Sequence, residues 1–430
     1  MRARFLVPLL IGYFSCTAIA ADQLEQIREY FREIDLVCQK DGGALWGKKL
    51  CGPVLLVNPT THEVFANQRD QENRLQKRET IFTGTLPSSI NIANTATDWA
   101  GVKWTMIMLP LPENRDKRAA LFAHEMWHRI QEQLGFASSG ATNDHLDTRD
   151  GRYWLQLEWR ALAAALRSKG PAELAAITDA EIFRARRHQL FPKSTEEERS
   201  MEINEGLAEY TGIRLCGTSD PRQFVVDANL KDAPAKQTFV RSFAYASGPA
   251  YGLLLDEVNG DWRKNLQSTN DLAELLMNLR HITLPENVEA LATDHAPLYG
   301  AHELAASEDA REKQRAEQEK KYVSRFTEGP VLVIPLEKMN MQFDPRTLVP
   351  LKNQGTVYPE IRIVDTWGIL EVKKGGALLS SDFAKVTVPP PENTEASNAK
   401  GDGWKLTLND GWKVCRTGPN WLVCRAGDGH

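Results

Sequence analysis

The sequence predicts an α+β protein. Three observations carry this: short apolar or alternating runs between Pro53 and Leu109, a helix-periodic section from about Arg115 to Leu279, and short β-rich runs after Gly329. The chain has 430 residues, 42% hydrophobic and 25% charged, which excludes a disordered or collagen-like polymer. At roughly 150 residues per domain it holds two or three domains. With 52 basic against 57 acidic residues the net charge is −5, so the surplus of cations that phosphate-backbone binding draws on is missing. No nucleic-acid partner is expected.

Arg2 and Arg4 precede an apolar run from Phe5 to Ile19 that ends in Ala18-Ile19-Ala20, the small residues signal peptidase needs. Residues 1–20 are therefore expected to be a secretory signal cut before Ala21. Pro8, Gly12 and Ser15 and the shortness of the run argue against a membrane span, which takes about 20 apolar residues. Nothing downstream is long and apolar enough to span a bilayer. Export to the periplasm or the extracellular space would leave 410 residues, and loss of Arg2 and Arg4 would take the charge from −5 to −7. In an oxidising compartment, local spacing pairs Cys38 with Cys51 and Cys415 with Cys424, leaving Cys216 over. No Cys-x-x-Cys occurs, so thiol redox catalysis and a cysteine-rich zinc knuckle lack their signature.

Gln23 to Val37 reads as an amphipathic helix, and Pro53–Asn58, Glu63–Ala66, Ile90–Ala93 and Val102–Leu109 read as strands, the last ended by Pro110 and Pro112. In the helical section Gly135 closes the first helix. Asp147 or Thr148 opens the second, and Lys169-Gly170-Pro171 closes it. Ser194 and Glu197 form the pattern of a capping box ahead of a helix carrying Ile203 to Leu215. Ser307 to Lys321, dominated by Glu, Lys, Arg and Gln, has the composition of a solvated connecting helix. Beyond Gly329, strands are expected at Val331–Pro335, Ile361–Val364, Ile369–Val372, Lys385–Val388, Trp404–Leu408 and Trp412–Cys415, with a loop from Pro389 to Lys400. The resulting division is a signal at 1–20, a catalytic domain over 22–300, a charged helical linker over 301–328 and a β-rich domain over 329–430.

The chemistry lies in His124-Glu125-Met126-Trp127-His128, set among Leu121, Phe122, Met126, Ile130 and Leu134 at helical spacing. One helical turn separates His124 from His128 on one face, so both imidazoles reach a single ion at about 2.0–2.1 Å. Glu125 then projects beside that ion and can take a proton from an attacking water, the HExxH logic of zinc peptidases. Arg129 follows directly, where such motifs usually carry an uncharged residue. A catalytic zinc needs a third protein ligand, and two glutamates compete for the place. Glu205 lies in Asn204-Glu205-Gly206-Leu207-Ala208-Glu209-Tyr210, 77 residues past His128; Glu158 lies in Leu157-Glu158-Trp159-Arg160, 30 residues past it.

These segments resemble the gluzincin zinc peptidases of the aminopeptidase N and leukotriene A4 hydrolase type. Their third ligand is the glutamate of an Asn-Glu-Gly followed by small or apolar residues and a tyrosine, as in Asn204 to Tyr210. Tyr245-Ala246-Ser247-Gly248 is similar to the family's Tyr-x-Lys-Gly, whose tyrosine hydroxyl stabilises the oxyanion. The resemblance covers roughly residues 100–260 and implies a zincin-like catalytic domain with His124, His128 and Glu205 as zinc ligands, Glu125 as general base and Tyr245 as oxyanion donor. It also implies a peptide or protein substrate. Three features depart from the family: an insertion of about Thr148–Phe191 before the third ligand, Ser247 in place of lysine, and no Gly-x-Met-Glu-Asn to hold a free amine. Aminopeptidase specificity does not carry over, and an endopeptidase fits better.

Ordinary readings stand beside these. Glu198, Glu202, Glu205 and Glu209 at helical spacing make an acidic stripe of the usually solvated kind, although glycine at 206, costing about 1 kcal/mol inside a helix, does not fit it. Glu158 reads equally as a buried carboxylate neutralised by an arginine, Arg160 or one from another helix, or as a residue orienting a histidine ligand. Tyr245 reads as core, like Phe243 and Tyr251, and Asn143-Asp144-His145 with Asp147 as a polar turn. Trp404, Trp412 and Trp421 are either a carbohydrate-stacking face or the core of a small β domain. The competing functions are a zinc-dependent hydrolase of other bonds and a non-enzymatic exported binding protein.

Overall fold

The computed structural model describes residues 14–136, 142–344, 347–351, 354–395 and 398–427, with backbone alone for 14–21 and 395. Residues 1–13 of the expected signal segment lie outside the described residues. Helix α1 (Phe14–Asp41) precedes six strands, β1 (Val54–Val57), β2 (Glu63–Ala66), β3 (Gln76–Arg78), β4 (Ile81–Thr85), β5 (Thr95–Trp99) and β6 (Val102–Met108). They form one sheet in the order β3-β4-β2-β1-β6-β5, with β1 and β6 parallel and the other neighbours antiparallel. Strands β1 and β6 are buried on both faces. Leu55, Val57, Trp104 and Met106 pack on one side, and Val54, Leu56 and Ile107 join the helical core on the other.

The expected strand at Ile90–Ala93 is a loop, and β5 starts beyond it. Ile90 and Ile92 are apolar because they anchor that loop on the sheet's outer core, not because they pair. Strands β3 and β4 went unexpected because an Asp70 turn defines them: its carboxylate accepts the Glu72, Arg74 and Leu75 amides at 2.8–2.9 Å.

The sheet's inner face carries α2 (Arg115–Ile130), capped by the Asn114 side chain accepting from the Lys117 amide at 2.9 Å and followed by Gly135 at φ 84°. Then come α3 (Arg149–Arg167), capped by Thr148, and α4 (Pro171–Leu190), with proline at its first position. Helix α5 (Ser194–Met201) has no capping box. Ser194 is its first residue and no side chain caps it; the hydroxyl donates to the Phe191 carbonyl at 2.6 Å instead. A π-turn over Glu202–Gly206 runs into α6 (Leu207–Leu215), followed by α7 (Pro221–Phe224), α8 (Ala244–Val258), α9 (Leu272–Arg280), α10 (Val288–His295) and α11 (Ala301–Val323). Helix α11 is not simply solvated. Its Glu308 is buried and accepts from the fully buried Arg152 of α3 at 2.6 Å.

Between α3, α4 and α5 lies a buried ionic network. Arg187 bridges Glu158 at 2.6 Å and Glu198 at 2.7 Å, and Arg184 contacts Glu158, Glu202 and Asp271 at 3.3, 2.8 and 3.0 Å. Burial pushes the Glu202 carboxyl up to about 8 against the pull of Arg184.

The C-terminal region is β-rich. One sheet contains seven strands, among them Leu332–Pro335, Lys385–Val388 and Asn420–Arg425; another has six, in the order 393–395, 398–401, 404–408, 368–372, 361–365, 340–343. Trp367, Leu370 and Leu406 fill the core between them. The expected loop from Pro389 to Lys400 holds a hairpin instead, Asn393–Glu395 with Asn398–Gly401, whose polar residues conceal the strand pattern. Disulfides join Cys38 to Cys51 and Cys415 to Cys424, and Cys216 is a buried free thiol. No helix among the described residues is long and apolar enough to cross a membrane.

Glu202 holds a proton in the fold that the unfolded chain releases near its ordinary value of 4.5, so its contribution to stability falls as pH rises from about 4.5 to 8 and is flat above. Urea titrations across that range should show Glu202→Gln removing up to about 1.4 kcal/mol per pH unit of this decline. An unchanged slope would place the proton elsewhere.

Candidate metal centre

The apolar residues of α2 turn one face inward, and the opposite consequence falls on its histidines. Met126 and Trp127 sink into the core, with Trp127 stacked on Phe136 at 6.1 Å. This leaves His124 and His128 on the face toward the π-turn. Arg129, the charge after the motif, ties α2 to the segment before β1 by donating to the carbonyls of Leu50 and Cys51 at 2.7 and 3.0 Å, under Gly52.

His124 Nε2 and His128 Nε2 stand 3.2 Å apart, and Glu205 Oε2 lies 3.6 and 3.5 Å from them. These three residues form the group able to hold a metal ion among the described residues. The two contacts to Glu205 are longer than ordinary hydrogen bonds of about 2.7–3.2 Å. A tetrahedral divalent ion with bonds of about 2.0–2.1 Å spreads its donors by about 3.3–3.4 Å, which is close to the separation seen.

The hydrogen bonds behind the three residues fix which ring nitrogens carry protons. His124 Nδ1 meets Glu209 Oε2 at 3.0 Å, and a carboxylate accepts, so Nδ1 carries a hydrogen and the neutral ring has its lone pair on Nε2. For His128 the same follows through a relay. The Asn204 amide donates toward Glu205 Oε1 at 3.4 Å, its oxygen accepts from Gln131 Nε2 at 2.8 Å, and Gln131 Oε1 therefore accepts from His128 Nδ1 at 2.9 Å. With both rings neutral, three lone-pair atoms converge on one point, a donor set that fits a cation, and a cation there takes the place of the ring proton that the carboxylates otherwise favour. Burial alone would lower the His124 pKa, but Glu205 and Glu209 outweigh it and hold it well above the ordinary value. Burial works against Glu205 too, yet the two histidines keep its carboxyl well below the usual range.

Glu125 is buried next to these histidines, and its Oε2 has no hydrogen-bond partner among the described residues. Burial raises its pKa, while His124 and His128 pull it back. Tyr245 at the start of α8 stacks on His124 at 5.5 Å and 10°, and its hydroxyl donates to Glu205 Oε2 at 2.5 Å. Burial and the Glu205 charge push that hydroxyl well above its usual pKa, so it remains a donor.

The glycines explain how Tyr245 reaches Glu205. A Cβ on Gly248 would lie 2.3 Å from the Gly206 Cα, so the π-turn and α8 approach at a distance that only two glycines allow. Ser247, at the place of a lysine in the resembled motif, is buried and accepts from Trp159 Nε1 at 3.0 Å.

Glu158 lies apart from the cluster. It is neutralised by Arg184 and Arg187 of α4 and accepts from the Tyr251 hydroxyl at 2.8 Å, whereas Arg160 donates to the carbonyls of Tyr299 and Gly300. His145 belongs to the ionic network through Glu198 at 2.7 Å. Two site residues lie outside the two motifs. Gln131 lies beyond the motif's last histidine at the spacing i+3, which a helix reading would flag. Arg241, one turn before Tyr245, donates to Glu205 Oε1 at 3.1 Å. No protein family, curated protein or solved structure matches the chain.

Replacing Gly248 by alanine should cost at least about 1–3 kcal/mol by overpacking and weaken metal retention, because Tyr245 and Glu205 are displaced together. Gly260→Ala, where a Cβ meets nothing within 4 Å, is the control and should stay within about 0.5 kcal/mol. Equal unfolding midpoints for the two variants would remove the glycine contact as the organising feature.

Proposed function

We propose that the chain is an exported zinc-dependent metallopeptidase with a zincin-like catalytic domain, most simply an endopeptidase acting on peptide or protein substrates. The observation that carries the reading is the convergence of His124 Nε2, His128 Nε2 and Glu205 Oε2 beside a buried carboxylate, Glu125. Two disulfides and the lack of an apolar spanning helix among the described residues are compatible with export.

The three ligands would hold zinc, which when bound supplies Lewis acidity and makes a nucleophile of water near neutral pH. Glu125, one residue from the first ligand, accepts the proton of the attacking water and returns it to the leaving amine. Its raised pKa brings it closer to the range in which one group can do both. Tyr245 supplies an O–H that turns from Glu205 to the oxygen of the scissile carbonyl as charge develops there. Glu209 and the Gln131–Asn204 relay hold the imidazoles in the tautomer that offers Nε2.

Cleavage of an unfolded protein such as casein, inhibited by a chelator and restored by zinc, tests the reading. Glu125→Gln should keep the metal and lose about 10²–10⁴-fold in turnover; loss of metal instead would make Glu125 a ligand and overturn its role. Because histidine binds metal only when neutral, activity should fall below about pH 6 as protons displace the ion. A flat profile down to about pH 4 would contradict a two-histidine site.

A further inference from the structure

The outer face of the six-stranded C-terminal sheet carries lysines that face each other. Cross-strand register sets Gln342, Arg362, Glu371, Lys405, Lys400 and Asn393 in one row. At one end the row is occupied: Arg362 donates to Asn91 Oδ1 at 2.7 Å and to the Ser88 carbonyl, and Gln342 accepts the Ile92 amide at 3.3 Å. Farther along, Lys405 and Lys400 stand directly opposite each other, an arrangement of like charges that destabilises a sheet. Among the described residues no carboxylate lies within ion-pair distance of either, while nearby Lys374 is paired with Asp402 at 3.2 Å. The chain as a whole is acidic, so this is not general basicity.

Two hollows straddle the lysine pair. One of about 490 Å³ is lined by Lys373, Lys374, Lys400, Lys405, Trp404 and the single carboxylate Glu371; one of about 250 Å³ shares Lys400 and Lys405 and is bordered by Asn393 and Asn398.

We propose that this face binds a stretch of acidic polysaccharide, with successive carboxylate or phosphate groups on either side of Lys400 and Lys405. The two hollows call for a repeating anion and not a single one. Strands 398–401 and 404–408 are interior to the sheet, so their backbone groups are already paired and a peptide cannot add as a strand. Recognition falls to the lysine cations and the exposed Asn393 amide, groups that suit charged, hydroxyl-rich sugars.

Calorimetry on the full mature chain with oligogalacturonate, a phosphomannan, neutral dextran and poly-glutamate tests this, at low and physiological salt. Expected are binding of one or both anionic polysaccharides but not dextran, weakening with salt, and a loss of about tenfold or more in Lys400→Gln/Lys405→Gln. Lys338→Gln/Lys385→Gln, away from this row of side chains, should bind as wild type. The tighter of the two anionic polymers identifies carboxylate or phosphate as the recognised group. The Lys400/Lys405 variant removes a like-charge pair and should unfold no earlier than wild type, which separates lost binding from lost folding. Absence of binding to both anionic polysaccharides, full binding by the double variant, or a preference for poly-glutamate would overturn the proposal.

Discussion

Two imidazoles and a carboxylate are gathered at one buried spot, and much of the helical region is organised to hold them there. His124, His128 and Glu205 come from α2 and the π-turn, segments far apart in sequence, and the groups around them supply the restraint. The restraint is physical and local. Glu209 fixes one imidazole, the Gln131–Asn204 relay fixes the other, and Arg241 and Tyr245 hold the two oxygens of Glu205. Behind these stands the contact of Gly206 with Gly248, without which α8 would sit too far away for Tyr245 to reach the carboxylate.

The same logic accounts for the ionic network beneath the site. Charges buried this completely are expensive to desolvate, and such a group is a poor source of net stability compared with apolar packing. Removing one partner strands the others, however, so the network permits only one arrangement of α3, α4 and α5. The π-turn that presents Asn204 and Glu205 begins at Glu202, itself gripped by Arg184. Polar groups thus fix the register of the segment that carries the third candidate ligand, and the apolar core supplies the stability.

Much of this is legible in the sequence, because it rests on local spacing: two histidines one turn apart, a glycine where a solvated stripe would not want one, cysteine pairs close in sequence, and β-branched runs after Gly329. What is not legible depends on partners distant in sequence. The acidic stripe of Glu198, Glu202, Glu205 and Glu209 is not a solvated face; each member meets an arginine, histidine or amide brought in from elsewhere in the fold. Glu158 is neutralised from α4 and not by its own neighbour Arg160. The hairpin around Asn393 and Asn398 consists of polar residues whose strand character comes only from pairing. Likewise Ser194 matches a capping pattern, but the preceding turn at Phe191 claims its hydroxyl. Gly248 shows both sides, since its motif is readable while its reason, the backbone of Gly206, is not.

The three converging acceptors are proposed as a metal site that Glu205, not Glu158, completes. Zinc per mole of the purified mature protein, measured by elemental mass spectrometry on wild type, Glu205→Ala and Glu158→Ala, tests this most directly. The account predicts one equivalent in the wild type and in folded Glu158→Ala, and none in Glu205→Ala. A wild type that takes up no metal even after zinc reconstitution, or a Glu205→Ala variant that retains its equivalent, would contradict it.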